Sequence, residues 1–122
     1  MINKLLAGRR VLVVEDEVLI LMTIEDILAD LGCESVVAAA TVEKALTTID
    51  AQVIDLAILD MNLNGDTNPA VEEALAARGI PFVYSTGNGG PNMRDGYRDR
   101  PVLKKPFRNE ELIEMLTRLL SR

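Results

Sequence analysis

Short unbroken apolar runs alternate with longer segments of helical spacing along this chain. Val11, Leu12, Val13 and Val14 form a four-residue run with no polar interruption, which suits a strand covered on both faces. Residues 18–31 follow with Ile20, Ile24, Ile27, Leu28 and Leu31 at helical spacing. Glu25, Asp26 and Asp30 take the opposite side, and Gly32 stands where a helix stop belongs. Residues 35–39 read as a short strand. Thr41 then caps a helix that turns Val42, Ala45, Leu46 and Ile49 inward. Residues 56–59 (Leu-Ala-Ile-Leu) are a second fully apolar run. Asn68 and Pro69 give a cap with proline at the first helical position, and Gly79 closes that helix. Residues 81–85 and 102–104 supply two more strands. Asn109, Glu110 and Glu111 open a last helix with Leu112, Ile113, Leu116, Leu119 and Leu120 buried, and Arg118 and Arg122 lie near its negative end. Strand–helix alternation repeated about five times predicts an α/β domain with a parallel sheet. Residues 87–100 break the pattern. Their glycines and Pro91 oppose a stable helix, so a short or mobile fourth helix is expected there.

Length and composition narrow this picture. A chain of 122 residues predicts one domain, spanning 1–122, with enough buried surface for a core without staples. Aromatic residues are 3% of the chain, so the core is built from aliphatic side chains. A net charge of −6 argues against a nucleic-acid surface. Cys33, the one cysteine, excludes an internal disulfide and reads as a small packing residue. No apolar stretch approaches the roughly 20 residues of a membrane span, and Leu5-Leu6-Ala7 is no signal-peptide core, so a cytoplasmic setting without membrane contact is expected.

The candidate chemistry sits where the strands end. The first runs into Glu15 and Asp16, the third into Asp60, the fourth into Ser85, Thr86 and Gly87, and the fifth into Lys105 and Pro106. Singly, each reads as a turn or a helix start. Together they fall where an open parallel sheet of order 2-1-3-4-5 binds ligands, at the switch point between strands one and three. Gathered carboxylates repel unless a cation joins them. Mg²⁺ fits, with Asp16, Asp60 and the backbone carbonyl of Asn62 as direct ligands and Glu15 acting directly or through water. Asp60 is then placed as the nucleophile that becomes an aspartyl phosphate. Lys105 would neutralise one phosphoryl oxygen, the Thr86 hydroxyl would donate to another, and Gly87 leaves room for the phosphodonor.

The segments Val13-Val14-Glu15-Asp16-Glu17, Ile58-Leu59-Asp60-Met61-Asn62-Leu63-Asn64-Gly65, Ser85-Thr86-Gly87 and Leu103-Lys104-Lys105-Pro106-Phe107 together resemble the receiver domain of two-component response regulators, over essentially the whole chain. The resemblance implies a flavodoxin-like (βα)5 doubly wound sheet. It implies that Asp60 takes phosphate from a histidine kinase, that Glu15 and Asp16 serve Mg²⁺, and that Thr86 and Lys105 contact the phosphoryl group. Lys105 rather than Lys104 matches the family lysine because it precedes the proline, and a cis Lys105–Pro106 bond is implied. Such a protein catalyses only its own phosphorylation and dephosphorylation.

Two departures stand out. Val102 occupies the position where most receivers carry an aromatic switch residue. The segment Pro81-Phe82-Val83-Tyr84-Ser85-Thr86-Gly87 resembles a subgroup of single-domain receivers with a Pro-Phe-x-Phe-Ala-Thr-Gly signature, in which Tyr84 and Ser85 are local substitutions. That subgroup lacks the aromatic switch, has a mobile fourth-helix segment and implies partner kinases of the HWE/HisKA2 type. The expectation is a stand-alone receiver that signals by phosphorylation-dependent protein–protein contact, through ordering of residues 88–100 when about −1.5 to −2 of charge is added. A phosphate sink or shuttle is the alternative output. A haloacid-dehalogenase-like phosphatase is disfavoured because Asn62 stands where its second aspartate belongs. A flavodoxin-like binding module is disfavoured because Glu15-Asp16-Glu17 would repel a phosphate unless a cation intervened.

Overall fold

A computed structural model of the chain describes residues 6–60, 70–86, 102–104 and 109–120, with backbone only for 86, 102–104 and 109. The elements in chain order are β1 (Arg10–Val14), α1 (Val18–Asp30), β2 (Ser35–Ala39), α2 (Val42–Ala51), β3 (Leu56–Asp60), α3 (Ala70–Ala77), β4 (Phe82–Thr86), β5 (Val102–Lys104) and α4 (Asn109–Leu120). The strands form one five-stranded sheet in the order β2-β1-β3-β4-β5, and every pairing is parallel. The doubly wound order expected from sequence is therefore the order observed. The short or mobile fourth helix expected between strands four and five, and the Asn68-Pro69 cap, lie outside the described residues; α4 is the helix that follows β5.

Alternation along the strands sorts the core into two layers. Val11, Val13, Leu56, Ile58 and Val83 face one side, with Ile24, Ile27 and Leu28 of α1 and Leu112, Leu116 and Leu119 of α4. Leu12, Val14, Ala57, Leu59, Phe82 and Tyr84 face the other, with Ala45 and Ile49 of α2 and Val71 and Leu75 of α3. A strand buried on both sides has no position for a polar residue until it ends. That is why residues 11–14 of β1 and 56–59 of β3 are unbroken apolar runs, and why polar residues are confined to the strand ends.

Local signals act where expected. The Thr41 side chain accepts from the Lys44 amide at 3.1 Å and starts α2. Gly32 and Gly79 take positive φ, 80° and 68°, after α1 and α3, a backbone state costly for other residues. α1 ends at Asp30 with Leu31 as its C-cap. Arg118 pairs with Glu114 one turn before it on the exposed side of α4. Cys33 is half-buried, packs against the α1/α4 layer, and its thiol lies within hydrogen-bonding reach of the carbonyls of Arg9 and Ser35, its single proton serving one of them at a time. Burial pushes that thiol's pKa up, as suits a packing residue.

Candidate functional site

β1 and β3 are neighbours in register, Val14 opposite Leu59, so the residues leaving β1 and the last residue of β3 meet at one edge of the sheet. Glu15 and Asp16 follow β1 directly, and Asp60 ends β3. One carboxylate oxygen from each of Glu15, Asp16 and Asp60 lies within 4.8 Å of the other two. Glu15 is buried at 2% exposure, while Asp16 and Asp60 are half-buried and open toward solvent. The backbone holds this arrangement. The Glu15 amide donates to the Ala39 carbonyl at 3.0 Å, carrying the β1–β2 pairing one residue further. The Glu15 carboxylate accepts from the Glu17 amide at 3.1 Å, just before α1 begins. The positive end of α1 therefore faces the acids and partly offsets their mutual repulsion.

An oxygen-only set of three carboxylates is the donor chemistry of a hard divalent cation, and it offers nothing to a metal that prefers nitrogen or sulfur. Among the described residues this is the group of acids so gathered. The structure thus brings together Glu15, Asp16 and Asp60. Thr86 ends β4, and its backbone lies one residue beyond Ser85, the register partner of Asp60. Asn62 and Lys105, with the Lys105–Pro106 bond, lie outside the described residues. Lys104 closes β5 opposite Thr86.

β4 carries two further polar side chains at this end of the sheet, on opposite faces. Tyr84, fully buried, donates its hydroxyl to Glu72 of α3 at 3.1 Å, and Glu72 is itself 3% exposed. Phe82 meets the Tyr84 ring edge-on, with centroids 5.7 Å apart. Ser85 is fully buried, and its hydroxyl has no hydrogen-bond partner among the described residues. Sequence reasoning did not find Glu72. The available signal was its place three residues before Leu75, on the flank of the apolar stripe of α3, together with the one hydroxylated aromatic in β4.

Known proteins share this chain's sequence pattern and fold. The chain is 31% identical over 118 residues to the transcriptional regulatory protein PdtaR of Mycobacterium tuberculosis, an alignment covering 93% of this chain and 58% of PdtaR. It therefore spans 58% of the length of that curated relative. Its fold is similar to the solution structure of SdrG from Sphingomonas melonis Fr1, with a TM-score of 0.82 and 45% identity over 92% of this chain and 96% of SdrG. The BeF3-activated conformation of SdrG gives a TM-score of 0.75 at 41% identity, covering 96% of this chain and 99% of that one. The receiver domain of the sensor histidine kinase PA1611 from Pseudomonas aeruginosa PAO1, solved with a magnesium ion coordinated in its active-site cleft, gives 0.77 at 26% identity, covering 95% of this chain and all (100%) of that one. The model of the response regulator receiver domain matches residues 11–117, the whole span from β1 to the last turns of α4. Fold and sequence agree, and the chain belongs to the response regulator receiver domain family.

Proposed function

We propose that this receiver accepts a phosphoryl group on Asp60 from the phosphohistidine of a histidine kinase, in a reaction that requires Mg²⁺. The observation that carries the proposal is the meeting of the Asp60 carboxylate with those of Glu15 and Asp16 within 4.8 Å, at the ends of adjacent parallel strands. Glu15, Asp16 and Asp60, with the backbone carbonyl of Asn62, would hold the ion, and its chemistry there is to neutralise charge on the phosphoryl oxygens.

The rest is the work of the chain's own residues. An Asp60 oxygen attacks phosphorus in line. The new O–P bond forms as the N–P bond breaks, and the electron pair returns to the donor imidazole. The Thr86 hydroxyl donates to one phosphoryl oxygen and the Lys105 ammonium neutralises another. The donor kinase is of the HWE/HisKA2 type that the strand-four signature implies. The output is a protein–protein contact made or released when Asp60 gains charge. The test is acetyl phosphate with Mg²⁺ on wild type and Asp60→Ala, read by intact mass. Wild type gains one phosphoryl and Asp60→Ala gains none. An equally phosphorylated Asp60→Ala protein overturns the assignment.

A further inference from the structure

Ser85 is the one position of β4 whose side chain is polar, fully buried and, among the described residues, without a hydrogen-bond partner. Orphaned buried hydroxyls are rare in native structures because their desolvation is uncompensated. Its location supplies a reason. Ser85 is the register partner of Asp60 across the β3–β4 pairing. Two residues earlier, Ile58 and Val83 are also partners, and both lie in the α1/α4 layer. Strand alternation therefore places Asp60 and Ser85 on that same face, one strand spacing of about 4.8 Å apart. Glu15 follows Val13 by two residues and continues the same face beyond β1. The hydroxyl thus lies on the strand next to the carboxylate that takes the phosphoryl group, on the same face of the sheet.

We propose that Ser85 is a positioning residue of this site, its hydroxyl, unpartnered among the described residues, turning to donate to the Asp60 carboxyl group of the phosphorylated protein and hastening loss of the phosphoryl group. The inference rests on Asp60 being the acceptor. In dephosphorylation, a water oxygen attacks phosphorus, the P–O bond to Asp60 breaks, and the bonding pair returns to the carboxylate. The water's proton leaves to solvent with the released phosphate. A donor on the neighbouring strand that turns to that carboxylate stabilises it as leaving group and shortens the life of the aspartyl phosphate. A hydroxyl where the strand-four signature has alanine would thereby set the duration of the signal.

The experiment follows decay of the phosphorylated protein by intact mass after acetyl phosphate is removed, for wild type, Ser85→Ala and Ser85→Thr. The expected result is a lifetime about three- to tenfold longer in Ser85→Ala, with Ser85→Thr, which keeps the hydroxyl, close to wild type. Ser85→Ala is expected to melt at or above the wild-type temperature, because it loses an unsatisfied group, so a longer lifetime is not a folding defect. Decay of Ser85→Ala at the wild-type rate, or of Ser85→Thr at the alanine rate, overturns the inference while leaving the acceptor reading intact. Failure of wild type to take up phosphate overturns both.

Discussion

Removing one oxygen atom tests how the α2/α3 layer is held together. The Tyr84 hydroxyl donates to Glu72 at 3.1 Å between two side chains that are 0% and 3% exposed. Tyr84→Phe keeps the ring, and with it the edge-on contact to Phe82 at 5.7 Å, so packing is conserved and the hydrogen bond alone is lost. A hydrogen bond to a charged group is worth about 1.5–3 kcal/mol, and its loss here leaves the carboxylate buried without that donor. The expected destabilisation is therefore about 1.5–3 kcal/mol, read as a lower urea midpoint with an unchanged slope. For a domain of this size that is a fall in Tm of roughly 5–12 °C. Replacing both partners, as Tyr84→Phe with Glu72→Leu, removes the buried polar group along with its donor and should recover most of the loss, because an apolar pair of similar shape is nearly neutral. The double-mutant cycle should give a coupling of about 1–2 kcal/mol. A Tyr84→Phe protein within about 0.5 kcal/mol of wild type, or strictly additive single effects, would refute the reasoning.

Three further outcomes follow from the geometry. Mg²⁺ should raise Tm in proportion to about 1.4 kcal/mol at tenfold excess over its dissociation constant, and Asp60→Asn should melt higher than wild type in EDTA while responding less to Mg²⁺, since one of three repelling charges within 4.8 Å is gone. Thr41→Ala, which loses the cap onto the Lys44 amide, should cost about 1 kcal/mol by urea titration. Cys33 should react with iodoacetamide more slowly than glutathione at pH 8 and approach full reactivity only in urea, because burial raises its thiol in the folded state. With that sign its contribution to stability is complete below the unfolded pKa and is lost as pH rises through the folded one.

The sheet was legible in the sequence because its strands are covered on both faces. Four aliphatic residues in a row at 11–14 and 56–59 admit few other readings, and the acids that stop each run mark the carboxyl edge. The bounds moved by a residue or so. Arg10 and Thr86 extend β1 and β4, and Leu31 is a cap rather than a helical residue, since strand pairing and cap geometry leave little local trace. Gathering Glu15, Asp16 and Asp60 required only the strand order. The Glu72–Tyr84 bond could not be read that way. A glutamate in the first turn of a helix looks like a solvated residue favoured by the dipole, and its burial depends on a hydroxyl reaching it from another element. Ser85 was visible as a hydroxyl in a strand, but its lack of a partner is a property of three-dimensional packing alone.

The central place of β1 has a consequence for the order in which the site is assembled during synthesis. β1 pairs with both β2 and β3, and these three strands lie within the first 60 residues. All three carboxylates are therefore synthesised before β4, β5 and α4, which supply part of both core layers. The acids that would attract a cation are thus made before the residues that would handle a phosphoryl group, and they come together only as the domain folds as a unit. A cation present at that step would offset the repulsion of acids held within 4.8 Å of one another, easing the pairing of β1 with β3 as the sheet closes.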